Sequence, residues 1–286
     1  MKFLFLNLPV SLKYIYIHLQ FNGESYVVDL RSGYLPYERV SLSIHLMLCG
    51  EMIVLNTLVI GCKTIKDEIT RAIANTGCQY EVRWTQGGLH YVPGKLCDAI
   101  QEILDGANEF DRVLLANGYC GNTLIGLRNQ SAELIIPRVD DCISLMLGSC
   151  ANKLEILSES KAYFMTEGWL NFERNIWAEY SYCVSRYGQS QADDIFHAMF
   201  GNYRSLVLLD TDCFDLDDVR TRTEQIASSL HLEHRVIPGT TSYIERLLKG
   251  PWPDEDFLIV PPHTTIDDDT LTLPVNMLME GGSRIG

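Results

Sequence analysis

Met52-Ile53-Val54-Leu55-Asn56-Thr57-Leu58-Val59-Ile60-Gly61-Cys62 is the stretch from which the fold follows. It is an apolar run of strand length that ends on a small residue and a cysteine, with the strand itself predicted over 53–60. Residues 66–75 come next and carry Ile69, Ala72 and Ile73 on one helical face, with Gly77 just past their end as a stop signal. A strand that passes directly into an amphipathic helix opens an α/β unit.

The alternation continues downstream. A strand is expected over 79–85, and Pro93 suits the first turn of a helix reaching about Gly106, with Leu96, Ile100, Ile103 and Leu104 at core spacing. Residues 112–117 read as a third strand, 122–127 as a short helical segment, 133–136 as a fourth strand and 141–148 as a helix. The second half alternates in the same way, with strand 162–165, helices 171–186 and 191–200, strand 205–209, helix 216–230, strand 233–237, helix 242–249 and strand 257–260. Helices between strands require crossovers, so neighbouring strands should be parallel. The expected fold is α/β, two Rossmann-like lobes with mainly parallel sheets covered by helices. The first lobe is placed at 52–155 and the second at 156–286, with the boundary in the polar stretch 151–161.

Upstream of Met52 the pattern is lost. Residues 1–51 show neither helical nor clean strand periodicity and are expected to be a poorly packed or non-native extension, with translation starting at Met52. Met1 to Val10 has the look of a leader, but Asn7 and Pro9 interrupt the apolar stretch and no small-residue cleavage site follows.

Composition narrows the function. With 47% hydrophobic and 21% charged residues the chain is built to fold around a core. A formal net charge of -14 argues against nucleic acid and against an anionic membrane surface, both of which call for a basic face. No apolar run is long enough to span a bilayer. The nine cysteines are odd in number, scattered and without a CxxC pair, which indicates a reducing, cytoplasmic compartment rather than a disulfide framework. Neither GxGxxG nor GxxxxGK[ST] occurs, so nothing supports a dinucleotide or nucleoside triphosphate.

In open parallel sheets, ligands collect beyond the carboxyl ends of the strands. That rule selects among the cysteines. Cys62 follows the first strand, His90 lies in the loop after the second, Cys120 follows the third within Gly118-Tyr119-Cys120-Gly121-Asn122, and Cys142 comes shortly after the fourth. Three thiolates and an imidazole suit zinc, and thiolates alone suit an iron–sulfur cluster. If one zinc holds all three sulfurs, they should lie roughly 4 Å apart, each about 2.3 Å from the metal. A redox or nucleophilic cysteine and simple burial are the competing readings, and His90 is the first member to drop if only cysteines bind. Asp141 should cap the following helix, with Asp140 open to a general-base or supporting role. Cys78, Cys97, Cys183 and Cys213 are assigned to structure, and Cys150 is ambiguous. Lys63 and His263 are read as surface and turn residues. Trp169, just past a second-half strand, should wall a pocket lying between the lobes.

These motifs, together with Ile136-Pro137-Arg138-Val139-Asp140-Asp141-Cys142-Ile143 and Thr166-Glu167-Gly168-Trp169, make the chain from about Met52 to Ile266 resemble the domain of unknown function 1638 family. The resemblance implies an α/β protein of anaerobic bacteria and methanogenic archaea, often encoded beside corrinoid-dependent methyltransferases. Relatives often carry histidine where this chain has Asp140. The resemblance and the ligand set together give the leading expectation: a zinc thiolate protein of anaerobic one-carbon metabolism that activates a small-molecule thiol for methyl transfer. Two alternatives stand beside it. One is a non-catalytic accessory protein whose partner is a corrinoid methyltransferase system; the absence of D-x-H-x-x-G disfavours direct corrinoid ligation. The other is an iron–sulfur protein, whose anaerobic preparation would be brown.

Overall fold

The computed structural model describes residues 16–21, 24–29, 55–172 and 175–271. The chain divides into two compact units, Met1–Leu55 and Asn56–Gly286. In the first, strands β1 (Tyr16–Phe21) and β2 (Glu24–Asp29) pair antiparallel from Tyr16↔Asp29 to Phe21↔Glu24. This hairpin corrects the expectation that the segment lacks a strand pattern. The sequence between the strands is Asn22-Gly23, a pair that favours two-residue hairpin turns. The expected start at Met52 falls outside the described residues.

The second unit holds two sheets. Strands β3 (Thr57–Cys62), β4 (Glu81–Thr85), β5 (Arg112–Ala116) and β6 (Glu133–Pro137) are mutually parallel, and the sheet order is β10-β6-β5-β3-β4. Helix α1 (Lys66–Thr76) joins β3 to β4, and α2 (Pro93–Asp105) joins β4 to β5. They lie on opposite faces of the sheet: Ile69 and Ala72 of α1 belong to one buried cluster, Leu96, Ile100 and Leu104 of α2 to another. The chain leaves β3 toward one sheet edge and leaves β5 toward the other. The carboxyl ends of β3 and β5 therefore form a topological switch point, where such sheets open a crevice.

After β6 come α3 (Cys142–Met146) and α4 (Cys150–Glu159), then β7 (Ala162–Met165), α5 (Glu167–Leu170), α6 (Ile176–Tyr187), α7 (Gln189–Phe200), β8 (Ser205–Asp210), α8 (Leu216–Ser229), β9 (Glu233–Pro238), α9 (Ser242–Lys249) and β10 (Phe257–Val260). Strands β7, β8 and β9 form a parallel three-stranded sheet. The fold is thus the expected Rossmann-like α/β class. Among the described residues, no helix is long and apolar enough to cross a membrane.

Three further features differ from what the sequence predicts. The stretch 151–161, expected to be a lobe boundary, is largely α4, started by Ser149, whose hydroxyl accepts from the Asn152 amide. Strand β10, expected in the second lobe, returns to the first sheet and pairs antiparallel with β6, Phe257 opposite Pro137. Residues 122–127 form turns instead of a helix, because Gly121 and Gly126 take left-handed φ angles of 71° and 90°.

Strand alternation places the core. Val59, Leu114 and Ile135 of the first sheet and Val207 and Leu209 of the second face one shared layer, filled by residues of α1, α3 and α9. Leu58, Ile60, Val113, Leu115, Leu134 and Ile136 face α2 on the other side. The period of two sends neighbouring residues of one strand into different cores.

Candidate functional site

The switch-point crevice is a cavity of about 320 Å³. Cys62, His90, Cys120, Cys142 and Trp169 all line it, along with Thr64, Gln86, Asn117 and the Asp140–Asp141 pair. The side chains selected by the strand-end rule are thus brought together, and the second-half segment carrying Trp169 closes the wall.

Close backbone packing builds this convergence. A Cβ on Gly118 would stand 2.4 Å from the Cα of Asp141, so only glycine lets the loop after β5 lie against the chain after β6. The amides of Tyr119 and Cys120 then donate to the carbonyls of Val139 and Asp140 at 2.8 and 2.7 Å. Cys120 itself adopts a left-handed φ of 46°, a conformation that costs energy for a residue with a Cβ and that clusters at functional sites. Gly168 plays the same part on the other wall, since its Cβ would stand 2.0 Å from the Thr64 carbonyl oxygen. The Gly87-Gly88 pair packs against the ring of Phe172, which draws the His90 loop toward the second half. The His90 and Trp169 rings meet at 4.9 Å between centroids. His90 is therefore half-buried in a cavity wall and is not the solvated surface histidine that a lone loop position would suggest.

The electrostatics of the floor are organised by residues that the strand-end rule does not reach. Lys153 of α4 donates to Asp140 at 2.7 Å and to Asp141 at 2.5 Å. Asp140 also accepts from the Ser144 hydroxyl at 2.5 Å and the Cys150 thiol at 3.2 Å. Burial works to raise the Asp140 carboxyl, but Lys153, Ser144 and Cys150 outweigh it and hold the group below its ordinary value. Asp140 is therefore a charged anchor for α4, and no free base. Asp141 caps α3 as expected, accepting from the amides of Ile143 and Ser144 at 3.0 and 3.2 Å.

Burial pushes the Cys120 thiol up to about 12, helped by Asp141 and Cys62. Burial also raises Cys142 well above its usual value, with Asp141, Cys120 and Cys62 adding to the shift. Burial thus favours the thiol over the thiolate at Cys120 and Cys142. The field that resists another negative charge here favours a cation. Burial lowers the imidazole of His90 against the opposing pull of Asp141, so it is neutral and able to ligate. The Cys62 thiol donates to the Thr64 hydroxyl at 3.3 Å.

The donor types suit a soft divalent ion, and the buried Nε2 of His90, which has no hydrogen-bond partner, suits a ligand role. The spacing is looser than expected: among the described residues, no three His, Cys, Asp or Glu side chains stand together in an arrangement that could hold a metal as it is. Cys62 and Cys142 pack against the core between the sheets, while Cys120 packs against the core under α2.

The remaining residues singled out in the sequence lie elsewhere. Lys63 is exposed and hydrogen-bonded to Gln86, and His263 sits in an exposed turn with a φ of 61°. Cys78, Cys97, Cys183 and Cys213 do not line the cavity. Cys150 is buried and reaches the site through Asp140. Asn117 is within reach of the strand-end rule, since it directly follows β5. Cys150 and Lys153 are i and i+3 on a helix whose polar sequence reads as a linker.

Fold and cavity together define an α/β protein with a thiol-rich strand-end pocket. The chain belongs to the family described as "Protein of unknown function (DUF1638)", whose model matches residues 84–248. His90, Cys120, Cys142 and Trp169 fall within that match and Cys62 precedes it. No curated protein and no solved structure matches the chain.

Proposed function

We propose that the strand-end cavity is the working site and that Cys62, Cys120 and Cys142, with His90, hold a zinc ion there as part of one-carbon metabolism. The observation that supports this most strongly is the convergence of three thiols and a neutral imidazole, each from the end of a different parallel strand, on one cavity. Cys62, Cys120 and Cys142 would hold zinc as thiolates, and a substrate thiol would be activated there for methyl transfer by taking the position of His90, because four protein ligands leave no open one. The protein's own contribution is positional. Gly118 and Gly168 set the walls, the Lys153 ion pairs fix α3 against α4, and the Asp141 carboxylate beside Cys120 and Cys142 adds negative charge that draws a cation. Ligation requires the half-buried cysteine side chains to turn onto the ion, so metal binding and local ordering are one event.

Metal analysis of anaerobically purified protein tests this. Stoichiometric zinc is expected in the wild type, with its loss in a Cys120→Ser, Cys142→Ser double variant that keeps its far-ultraviolet circular dichroism. Full zinc occupancy in the double variant would show that these thiols are not the site. A brown preparation with visible absorbance would favour an iron–sulfur cluster on the same residues.

A further inference from the structure

We infer that the cavity also recognises its organic ligand through an uncharged donor–acceptor group of the carboxamide type, which accepts from the Trp169 indole N–H and donates to Asn117 Oδ1. The inference rests on the cavity being the working site but not on the metal, since neither residue is among the proposed ligands. Asn117 is 3% exposed. Its Oδ1 and the Nε1 of Trp169 are buried atoms without a hydrogen-bond partner, and both residues line the cavity. Folded proteins rarely leave such atoms unpaired, so these two, beside His90 Nε2 in the same cavity wall, mark where a ligand completes the pairing.

The chemistry of the two atoms selects the class. An indole nitrogen only donates and an amide oxygen only accepts, so the matching group must accept once and donate once. An ammonium ion would leave the indole unpaired, and a carboxylate would leave Oδ1 unpaired. A carboxylate would also face Asp140 and Asp141, two carboxylates against the single cation Lys153. Both atoms are shielded from solvent, so the ligand pairs with them only as the Asn117 and Trp169 side chains turn toward the cavity. A site built to hydrogen-bond discriminates strongly against a ligand lacking the match. At about 320 Å³ the cavity lies at the small end of organic ligand sites.

Nitrogen-15 NMR of the full chain reads this directly. The Trp169 indole resonance is assigned by its loss in Trp169→Phe, and acetamide, acetate and tetramethylammonium are titrated into zinc-loaded and chelator-treated protein. Acetamide should shift the Trp169 resonance saturably in both forms. Acetate and tetramethylammonium should not, and Trp84, Trp177 and Trp252 should stay in place. Asn117→Leu should weaken the acetamide response about ten-fold, the loss of one buried hydrogen bond. If that variant does not fold, the comparison of probes on the wild type decides. An unmoved Trp169 resonance, an equal response to acetate, or a folded Asn117→Leu protein with the wild-type response would each overturn the inference. A response in chelator-treated protein that never takes up zinc would keep this inference while removing the metal.

Discussion

Gly118→Ala is expected to lower stability by about 3 kcal/mol or more, the upper range for forcing extra volume into packed structure. The new Cβ would meet the Cα, carbonyl carbon and nitrogen of Asp141 at 2.4, 2.5 and 2.7 Å, all of them backbone atoms with no rotamer to change. The chain after β5 must then move away from the chain after β6, breaking the Tyr119–Val139 and Cys120–Asp140 backbone bonds. For a unit of this size the melting temperature should fall by roughly 6–12 °C. Zinc affinity should fall with it, because Cys120 and Cys142 sit on the two separated segments. Gly94→Ala is the control, since a Cβ there meets nothing within 4 Å. A Gly118→Ala protein that melts with the wild type would contradict the role given to this contact.

Lys153→Met should cost about 2 kcal/mol. Breaking a fully buried ion pair costs roughly 3–5 kcal/mol, and the figure is reduced because the Asp140 side chain keeps 42% exposure and Asp141 34%, although Lys153 keeps only 13%. The pH dependence has a definite sign. In the wild type Asp140 is held below its ordinary value of 3.8, so its contribution is complete above that value and is lost as pH falls through the lowered one. The lysine is raised, the two carboxylates outweighing its burial, so its contribution persists through the neutral range into strong alkali. Without the lysine, the Asp140 carboxyl loses the largest of the interactions that lower it and rises toward its ordinary value. The gap in melting temperature should be widest near neutrality and narrow on acidification below the ordinary carboxyl value of 3.8. A gap independent of pH would mean that Lys153 acts through packing alone.

Much of the site is legible in the sequence because it depends on strand ends. β3, β5 and β6 are short apolar runs and helical periodicity flanks β4, and the rule that ligands gather at strand carboxyl ends reaches Cys62, His90, Cys120 and Cys142. What escapes depends on distant packing. Helix α4 buries Cys150 fully, while Leu154 is 42% exposed, so its sequence lacks a strong apolar stripe and nothing in it marks Lys153. The antiparallel return of β10 to β6 is a long-range pairing that local sequence does not encode. His90 is drawn into the wall by Phe172 packing on Gly87 and Gly88, a contact across more than eighty residues of chain. The looser spacing of the thiols has a similar origin: the pattern identifies which strand end carries each cysteine but not which core its side chain leans against.

X-ray absorption at the zinc edge of the loaded, anaerobically prepared protein is the most direct measurement of the site. Ligation by Cys62, Cys120 and Cys142 with His90 predicts a shell dominated by sulfur at about 2.3 Å, with one nitrogen near 2.0 Å. A zinc shell made only of oxygen and nitrogen would contradict the thiolate site.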